Sequence, residues 1–245
     1  MDDRRAGRST RDLAAKRRKA SIQILSLGLV VSLFLLVLIL KKEAVGLTAG
    51  GVTLLTVAIV IIARYAQAES KKIDKMERRA VRGAKAEERV GSILDDLGED
   101  FLVLHDVPCP YGNIDHVVIS KQSGVYLIET KAHGGRVSTV KGQLLVNGRD
   151  PEKNFITQTL RNTYWLRDEI QRIAGTRAWI IPVIVFTNAF VEPGPPIKNV
   201  LVINRKYLLT VLQRPITKAQ APAIWDRRNL IQASLHEPYE ATARR

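Results

Sequence analysis

The stretch that decides the fold is IDHVVISKQSGVYLIETKAH, residues 114–133. Apolar and β-branched residues dominate both of its halves, and a polar segment containing a glycine separates them. This pattern predicts a β-hairpin, with strands at residues 114–119 and 125–131 and a turn at residues 121–124. The rest of the domain is expected to be arranged around this hairpin.

Three charged side chains interrupt the otherwise apolar strands of this hairpin. Side chains alternate across a strand, so Glu129 and Lys131 are expected on one face and Thr130 on the other. Asp115 lies at the start of the partner strand, where it can reach the same face as Glu129. Charged groups are seldom buried without partners. The arrangement therefore indicates a bound partner, and a divalent metal ion would supply one.

The chain has 245 residues, a net charge of +14 and a pI of about 10.1, values that are typical of nucleic-acid-binding proteins. Most of the excess lies near the N-terminus: residues 1–82 hold 17 Lys/Arg against 7 Asp/Glu, whereas residues 83–245 hold 21 against 17. Cys109 is the single cysteine. It excludes an intrachain disulfide and a Cys-rich zinc site, which fits a reducing compartment.

Two apolar runs without charges, residues 22–40 and 45–63, each come close to the roughly 20 residues that cross a bilayer. A signal peptide is disfavoured because no small-residue cleavage site follows the first run and a second run comes directly after it. A buried hairpin of a soluble protein is also disfavoured, since soluble helices usually keep a polar face. We therefore expect two transmembrane helices within residues 21–64.

Basic residues flank these runs unequally. Eight Lys/Arg precede the first run, seven lie between residues 64 and 82, and the connecting turn has two. The positive-inside rule then predicts a multi-pass protein of the cell (inner) membrane with both termini in the cytoplasm. Residues 1–20 are expected to form a disordered or interfacial tail and residues 65–82 a charged helical connector. We expect membrane lipid to be bound through residues 1–82, where the basic clusters attract anionic headgroups.

Hydrophobic periodicity predicts the elements on either side of the hairpin. Before it, we expect a helix that ends near residue 97, a strand at residues 101–104 and a loop at residues 108–113. After it, we expect a turn at Gly134 and Gly135, a second hairpin at residues 136–146, a helix at 155–173, strands at 178–186 and 201–203, and short helices at 207–212 and about 223–235. This interleaving predicts an α/β sandwich with a mixed sheet.

Four segments resemble the NERD (nuclease-related) domain in their order along the chain. They are GAKAEERV at residues 83–90, Ile114-Asp115-His116, Ile128-Glu129-Thr130-Lys131, and Gln158. The family is grouped with the PD-(D/E)xK nucleases, so the resemblance, which covers about residues 83–186, implies a nuclease-like αβββαβ core. We place this domain at residues 83–214 and a C-terminal extension at residues 215–245. The chain departs from the family at Ala86, where Gly is common.

The resemblance also implies a catalytic set from two helices and the hairpin: Glu87, Asp115, Glu129, Lys131 and Gln158. Asp115, Glu129 and the backbone carbonyl of Thr130 are then the expected ligands of Mg²⁺ or Mn²⁺, which prefer carboxylates, waters and phosphate oxygens. Glu87 would complete the shell directly or through water. Lys131 would orient the attacking water or stabilise charge on the phosphate, and Gln158 would orient water or a phosphate.

Two functions remain open on the sequence. The first is a membrane-anchored, metal-dependent nuclease that hydrolyses nucleic acid, DNA in preference to RNA, at the cytoplasmic face. The second is a non-catalytic module that binds nucleic acid or a protein beneath the membrane. The intact Asp115, Glu129 and Lys131 favour the enzyme, whereas Ala86 and the small basic excess of the domain favour the module. The histidines show no zinc-site spacing such as HExxH.

Overall fold

The structure, a computed structural model, describes residues 5–214 and 220–237. The chain forms two compact units. One is Thr10–Val81, and the other combines Met1–Ser9 with Arg82–Arg245. The first unit is helical and the second contains the β-sheet.

Two long helices contain the apolar runs. The N-terminal part of the chain forms α1 (Arg8–Leu40), the short α2 (Lys42–Val45) and α3 (Ala49–Asp95). The most apolar 18-residue windows of α1 and α3 have mean hydropathies of 2.8 and 1.8, and only 0% and 6% of these windows is buried. A core helix of a soluble protein would bury such a surface. Both helices thus have the length and composition of membrane spans.

The basic segments beside these runs are helical. Residues 8–20 already belong to α1, so the disordered alternative for the N-terminal tail is wrong over these residues. Ala, Arg and Lys favour helix, and extending an existing helix avoids the cost of nucleation. The connector at residues 65–82 is helical as predicted and continues into the domain, but α3 ends at Asp95 instead of residue 97.

The second unit is built on a six-stranded sheet within the described residues. Its strands are β1 (Phe101–Cys109), β2 (Gly112–Ser120), β3 (Gly124–Val140), β4 (Gln143–Val146), β5 (Ile180–Val191) and β6 (Leu201–Asn204). The order is β1-β2-β3-β5-β6, with β4 paired to the end of β3. The β1–β2, β2–β3 and β3–β4 pairs are antiparallel, and β5 and β6 add in parallel. The predicted α/β fold with a mixed sheet is confirmed.

Four helices accompany the sheet: α4 (Phe155–Ala174), α5 (Leu208–Leu212), α6 (Ala221–Asp226) and α7 (Arg228–His236). A 3₁₀ turn at Arg205–Tyr207 precedes α5. The Asn154 side chain caps α4 by accepting the Thr157 N–H at 3.0 Å, and Gly175 ends the helix in the left-handed conformation. From α3 to β5 the chain therefore runs αβββαβ, with β4 inserted after the third strand.

The central hairpin of β2 and β3 is covered on both faces. On one face its side chains pack with α4; this cluster includes Val117, Ile119, Leu127, Leu166 and Ile170. On the other face they pack with the end of α3; this cluster includes Val90, Leu94, Val118, Tyr126 and Ile128. A strand buried on both faces has a nearly continuous apolar sequence, as this hairpin has.

The predicted turn at Gly134 and Gly135 is wrong, because β3 continues through both residues to Val140. The register with β5 shifts between Lys131 and Gly134, so a bulge lies at Ala132 and His133, and both glycines pair with β5 directly after it. The Asn147 side chain accepts the Arg136 N–H at 2.8 Å and donates to the Gly134 carbonyl at 3.2 Å. The pairing with β5 and the two Asn147 hydrogen bonds outweigh the turn preference of the two glycines.

Three further boundaries differ from the prediction, and one of them is that β5 spans Ile180–Val191 instead of residues 178–186. The expected loop at residues 108–113 is mostly strand, because the β1–β2 ladder extends to the Cys109–Gly112 pair. The expected helix at residues 223–235 is broken at Arg227, which has non-helical backbone angles. The break lets Ile224 of α6 and Ile231 of α7 reach the same core cluster. Residues 215–219 and 238–245 of the predicted C-terminal extension lie outside the described residues.

We expect Gly135→Ala to destabilise the second unit by about 2–4 kcal/mol. Gly135 has a φ of 89°, and an added Cβ would overlap the Asn147 amide, which is hydrogen-bonded to the backbone of Gly134 and Arg136. Gly142→Ala is the matched control, because Gly142 has a φ of 77° but nothing within 4 Å of an added Cβ. It should cost only the backbone strain, about 1–2 kcal/mol. Urea unfolding followed by tryptophan fluorescence measures the free energy of unfolding of both variants. Equal losses in the two variants would show that the Asn147 hydrogen bonds contribute nothing to stability.

Candidate active site

The candidate site lies where β2 and β3 stop pairing. The last backbone pair of this ladder is His116 with Ile128, so Asp115 and Glu129 are the next residues of the two strands beyond the paired part. There the Thr130 N–H donates to Asp115 Oδ2 at 2.6 Å. The carboxylate thus accepts a backbone N–H at the position where the ladder ends. This bond holds Asp115 against β3.

Glu129 is the centre of the polar contacts. Its Oε1 accepts hydrogen bonds from Lys131 Nζ at 2.7 Å and from Gln158 Nε2 at 3.0 Å. Its Oε2 is buried and has no hydrogen-bond partner in the part of the chain that the structure describes. The Lys131 ammonium also lies over the Phe155 ring, 4.6 Å from its centroid. One carboxylate oxygen is therefore satisfied twice, and the other remains available.

Negative charge is concentrated around Asp115. Burial raises the pKa of Asp115 well above its usual value, and the charges of Glu129 and Glu87 raise it further. The Lys131 ammonium and the Thr130 N–H oppose this rise in pKa. The region therefore holds more carboxylate charge than its own cation neutralises, which is the environment that a bound cation would stabilise.

The donor set suits a hard cation. Glu129 Oε2 is a buried oxygen that lacks a partner among the described residues, and Asp115 lies across the hairpin from it. No group of three His, Cys, Asp or Glu side chains is arranged to hold a metal ion within residues 5–214 and 220–237. Mg²⁺ commonly takes one or two carboxylates and completes its shell with water and substrate phosphate, so it fits this site better than Zn²⁺ does.

The structure brings together the residues singled out in the sequence. Glu129 and Lys131 meet on one face, as the strand alternation predicts. Gln158 reaches Glu129 from the first turn of α4. Glu87 projects from α3 and acts electrostatically on Asp115. The Thr130 side chain is buried, and its hydroxyl has no hydrogen-bond partner among the described residues, so it is the backbone of Thr130 that contacts Asp115.

Two contacts between separate elements were not predicted from the sequence. Phe155 carries the Lys131 ammonium on its ring, but in the sequence it is one of several apolar positions of a helix. The Arg161 guanidinium lies 4.2 Å from the centroid of Tyr111, an exposed residue of the β1–β2 turn. No sequence pattern signals either contact, because both join residues from separate elements.

A histidine pair lies behind Asp115, on the α3 side of the sheet. The Nδ1 atoms of His105 and His116 share a hydrogen bond of 2.8 Å, and His105 Nε2 is 3.1 Å from Asp95 Oδ1. Burial, followed by the charge of His105, holds the pKa of His116 well below its usual value. His116 is therefore a neutral member of the core. His133 packs on Phe155 with ring centroids 5.2 Å apart.

We expect Asp115→Asn to raise the melting temperature of the metal-free protein at pH 7. The amide oxygen still accepts the Thr130 N–H, whereas the repulsion from Glu129 disappears. Because the folded-state pKa of Asp115 is raised, the wild type loses stability as pH rises above the ordinary aspartate pKa of about 3.9. Below that pH both states of the wild type hold the proton, so the advantage of the Asp115→Asn variant should vanish in melts at about pH 3.5.

The control for this experiment is Asp100→Asn. Asp100 is an exposed aspartate whose carboxylate lies 3.2 Å from Lys121 Nζ. Its replacement should change the stability by less than about 1 kcal/mol at either pH. A melting temperature that falls in Asp115→Asn at pH 7 would show that the carboxylate is stabilising in the absence of metal.

Comparison with known proteins supports the resemblance found in the sequence. Residues 82–187 match the NERD family, described as nuclease-related domain. No curated protein and no solved structure matches the chain. The matched segment extends from the last turns of α3 into β5, and it contains every residue of the candidate site. Residues 82–187 therefore form a NERD nuclease-related domain, which implies a nuclease-related function in general.

Proposed function

We propose that the protein is a membrane-anchored, metal-dependent nuclease that hydrolyses phosphodiester bonds, with DNA preferred over RNA. The observation that carries this proposal is the convergence of Asp115, Glu129, Lys131 and Gln158 where the β2–β3 ladder ends. A lysine beside two carboxylates, one with a buried oxygen that lacks a partner among the described residues, is an arrangement suited to metal-assisted phosphate chemistry.

Asp115 and Glu129, together with the Thr130 carbonyl, would hold Mg²⁺ or Mn²⁺, and Glu87 would contribute directly or through water. When bound, the ion supplies polarisation of the scissile phosphate and a lowered pKa for a coordinated water. Asp115 is held ready for this role by the Thr130 N–H. Glu129 would offer Oε2, which has no hydrogen-bond partner in residues 5–214 and 220–237.

Lys131 and Gln158 would act on the substrate side. The Lys131 ammonium has three donors and uses one on Glu129 Oε1. The others would stabilise the charge that develops on phosphate oxygens or orient the attacking water. Gln158 donates its amide N–H to Glu129, which leaves its carbonyl oxygen to accept a hydrogen bond from that water.

A non-catalytic binding module is the second candidate. The observation in its favour is the ion pair of Lys131 and Glu129, whose side chains are 12% and 5% exposed. Such a pair satisfies both charges without a ligand and has a structural role in many proteins. The excess of only +4 after residue 82 also favours modest affinity for nucleic acid.

We also propose that α1 and α3 anchor the domain in the cell membrane, with both termini cytoplasmic and lipid bound through residues 1–82. The contacts of residues 5–9 support this topology. The Ser9 N–H and Oγ donate to the Asp106 carboxylate at 3.0 and 2.6 Å, and Ala6 packs beside Gly91. A chain that crosses a bilayer twice returns to its original side, and contacts between the N-terminal residues and the domain support such a return.

Two substitutions separate the roles within the site, measured on the full chain in detergent micelles. Lys131→Ala should lower the rate of DNA cleavage about 10²- to 10³-fold while a metal-induced rise in melting temperature persists. Glu129→Ala should abolish both the cleavage and that rise, because a ligand is lost. The matched control is Lys121→Ala at the other end of the hairpin, where Lys121 pairs with the exposed Asp100. It should leave cleavage unchanged.

Binding measured in Ca²⁺ distinguishes the enzyme from the module. If the wild type and all variants bind DNA equally and none cleaves it with Mg²⁺ or Mn²⁺, the module is the correct function. If Lys131→Ala cleaves like the wild type, the lysine has no part in the reaction.

The topology predicts the location of reporter fusions. A reporter at the N-terminus and one placed after residue 82 should both be cytoplasmic, whereas one in the α1–α3 connection, at residues 42–47, should be external. An external reporter after residue 82 would refute the proposed orientation.

A further inference from the structure

A cavity of about 290 Å³ lies between α4 and the start of β5, apart from the carboxylate site. The apolar residues Leu160 and Pro182 form part of the wall of this cavity. Two large aromatic residues, Tyr164 and Trp179, line the same cavity. Each of them is 53% exposed, although aromatic side chains of this size are usually buried to a large extent. Two exposed rings that line one cavity form a platform for a planar ligand.

The charged residues around the cavity are basic. Arg167, Arg177 and Lys198 line it, and no Asp or Glu is among its described lining residues. The Arg167 guanidinium is 5.4 Å from the Tyr164 centroid and 2.7 Å from the carboxylate of neighbouring Asp168. Arg177 and Lys198, which line the cavity from outside α4, have no ion-pair partner within residues 5–214 and 220–237 and so supply most of its positive charge. Aromatic faces beside such cations are complementary to bases linked by phosphates.

The cavity also lies within reach of the candidate active site. In the parallel register of β3 and β5, Glu129 stands beside Ile184, whereas the cavity meets β5 at Ile180 and Pro182. At about 3.3 Å per residue, this separation along the strand is about 7–13 Å. A nucleic-acid strand advances about 3.4 Å per nucleotide when stacked and further when unstacked, so the cavity lies within roughly two to four nucleotides of the carboxylates.

We propose that this cavity binds a single-stranded segment of nucleic acid, with bases on Tyr164 and Trp179 and phosphates beside Arg177 and Lys198. The identification of the ligand as a substrate strand rests on the proposed nuclease function. A single strand is favoured over a duplex because the rings can stack only on base faces that are not already covered by neighbouring base pairs.

The test is equilibrium binding of a short fluorescently labelled single-stranded DNA and of its duplex. It uses the full chain in uncharged detergent micelles with EDTA, where metal-dependent cleavage does not occur. Trp179→Ala and Tyr164→Ala should each weaken single-strand binding about 5- to 150-fold. Trp179→Phe keeps a ring and should retain most of the affinity. Arg177→Gln should reduce the slope of log K against log salt by about 0.7.

Tyr207→Ala and Arg205→Gln are the matched controls. Tyr207 is 47% exposed and has the Lys206 ammonium 4.8 Å from its ring centroid, so it is also an exposed aromatic residue beside a cation. Both control residues belong to the turn after β6, and neither is among the described residues that line the cavity. Their replacement should leave single-strand affinity unchanged.

The proposal is overturned if the wild type does not bind single-stranded DNA, or if the Trp179 and Tyr164 variants bind it like the wild type. It is also overturned if the controls weaken binding as much as these variants do. The result is separable from the nuclease proposal. A protein that cleaves DNA with Mg²⁺ but ignores these substitutions lacks the cavity site, whereas one that binds through both rings and never cleaves has the cavity site without nuclease activity.

Discussion

The hydrogen bond from the Thr130 backbone N–H to Asp115, 2.6 Å long, is the constraint on which the candidate site depends. It forms two residues beyond the last β3 position that pairs with β2, so a side chain secures the end of the hairpin. A carboxylate bonded to a main-chain N–H is fixed by the geometry of that strand. Since Glu129 and Lys131 flank Thr130 in β3, one bond sets the positions of three charged groups relative to each other.

The buried charges of the site carry a cost in stability that the fold offsets only in part. Removing Glu129 and Lys131 from water is unfavourable unless their hydrogen bonds are complete. Glu129 Oε1 accepts two hydrogen bonds, but Oε2 accepts none from the described residues, and the raised pKa of Asp115 reports the same imbalance. Groups with such shifted pKa values cluster at functional sites, which agrees with the nuclease-related character of this domain.

Helix α4 links the candidate active site to the cavity beside β5. Gln158 in its first turn contacts Glu129, and Tyr164, about 9 Å further along the helix, lines the cavity. The helix is capped by Asn154 and ended by Gly175, and its apolar face is buried against the sheet. A helix fixed at both ends in this way keeps the distance between the two sites constant.

The sequence by itself determined the hairpin, the helix at residues 155–173, the two apolar runs and the shared face of Glu129 and Lys131, because each depends on neighbours a few positions away. The resemblance added Gln158 to the site. Only the tertiary structure decided that β3 passes through Gly134, that Phe155 lies beneath Lys131, and that a cavity forms beside α4. These features depend on contacts between segments distant in sequence, whose energies outweigh local propensity and leave no local pattern to detect.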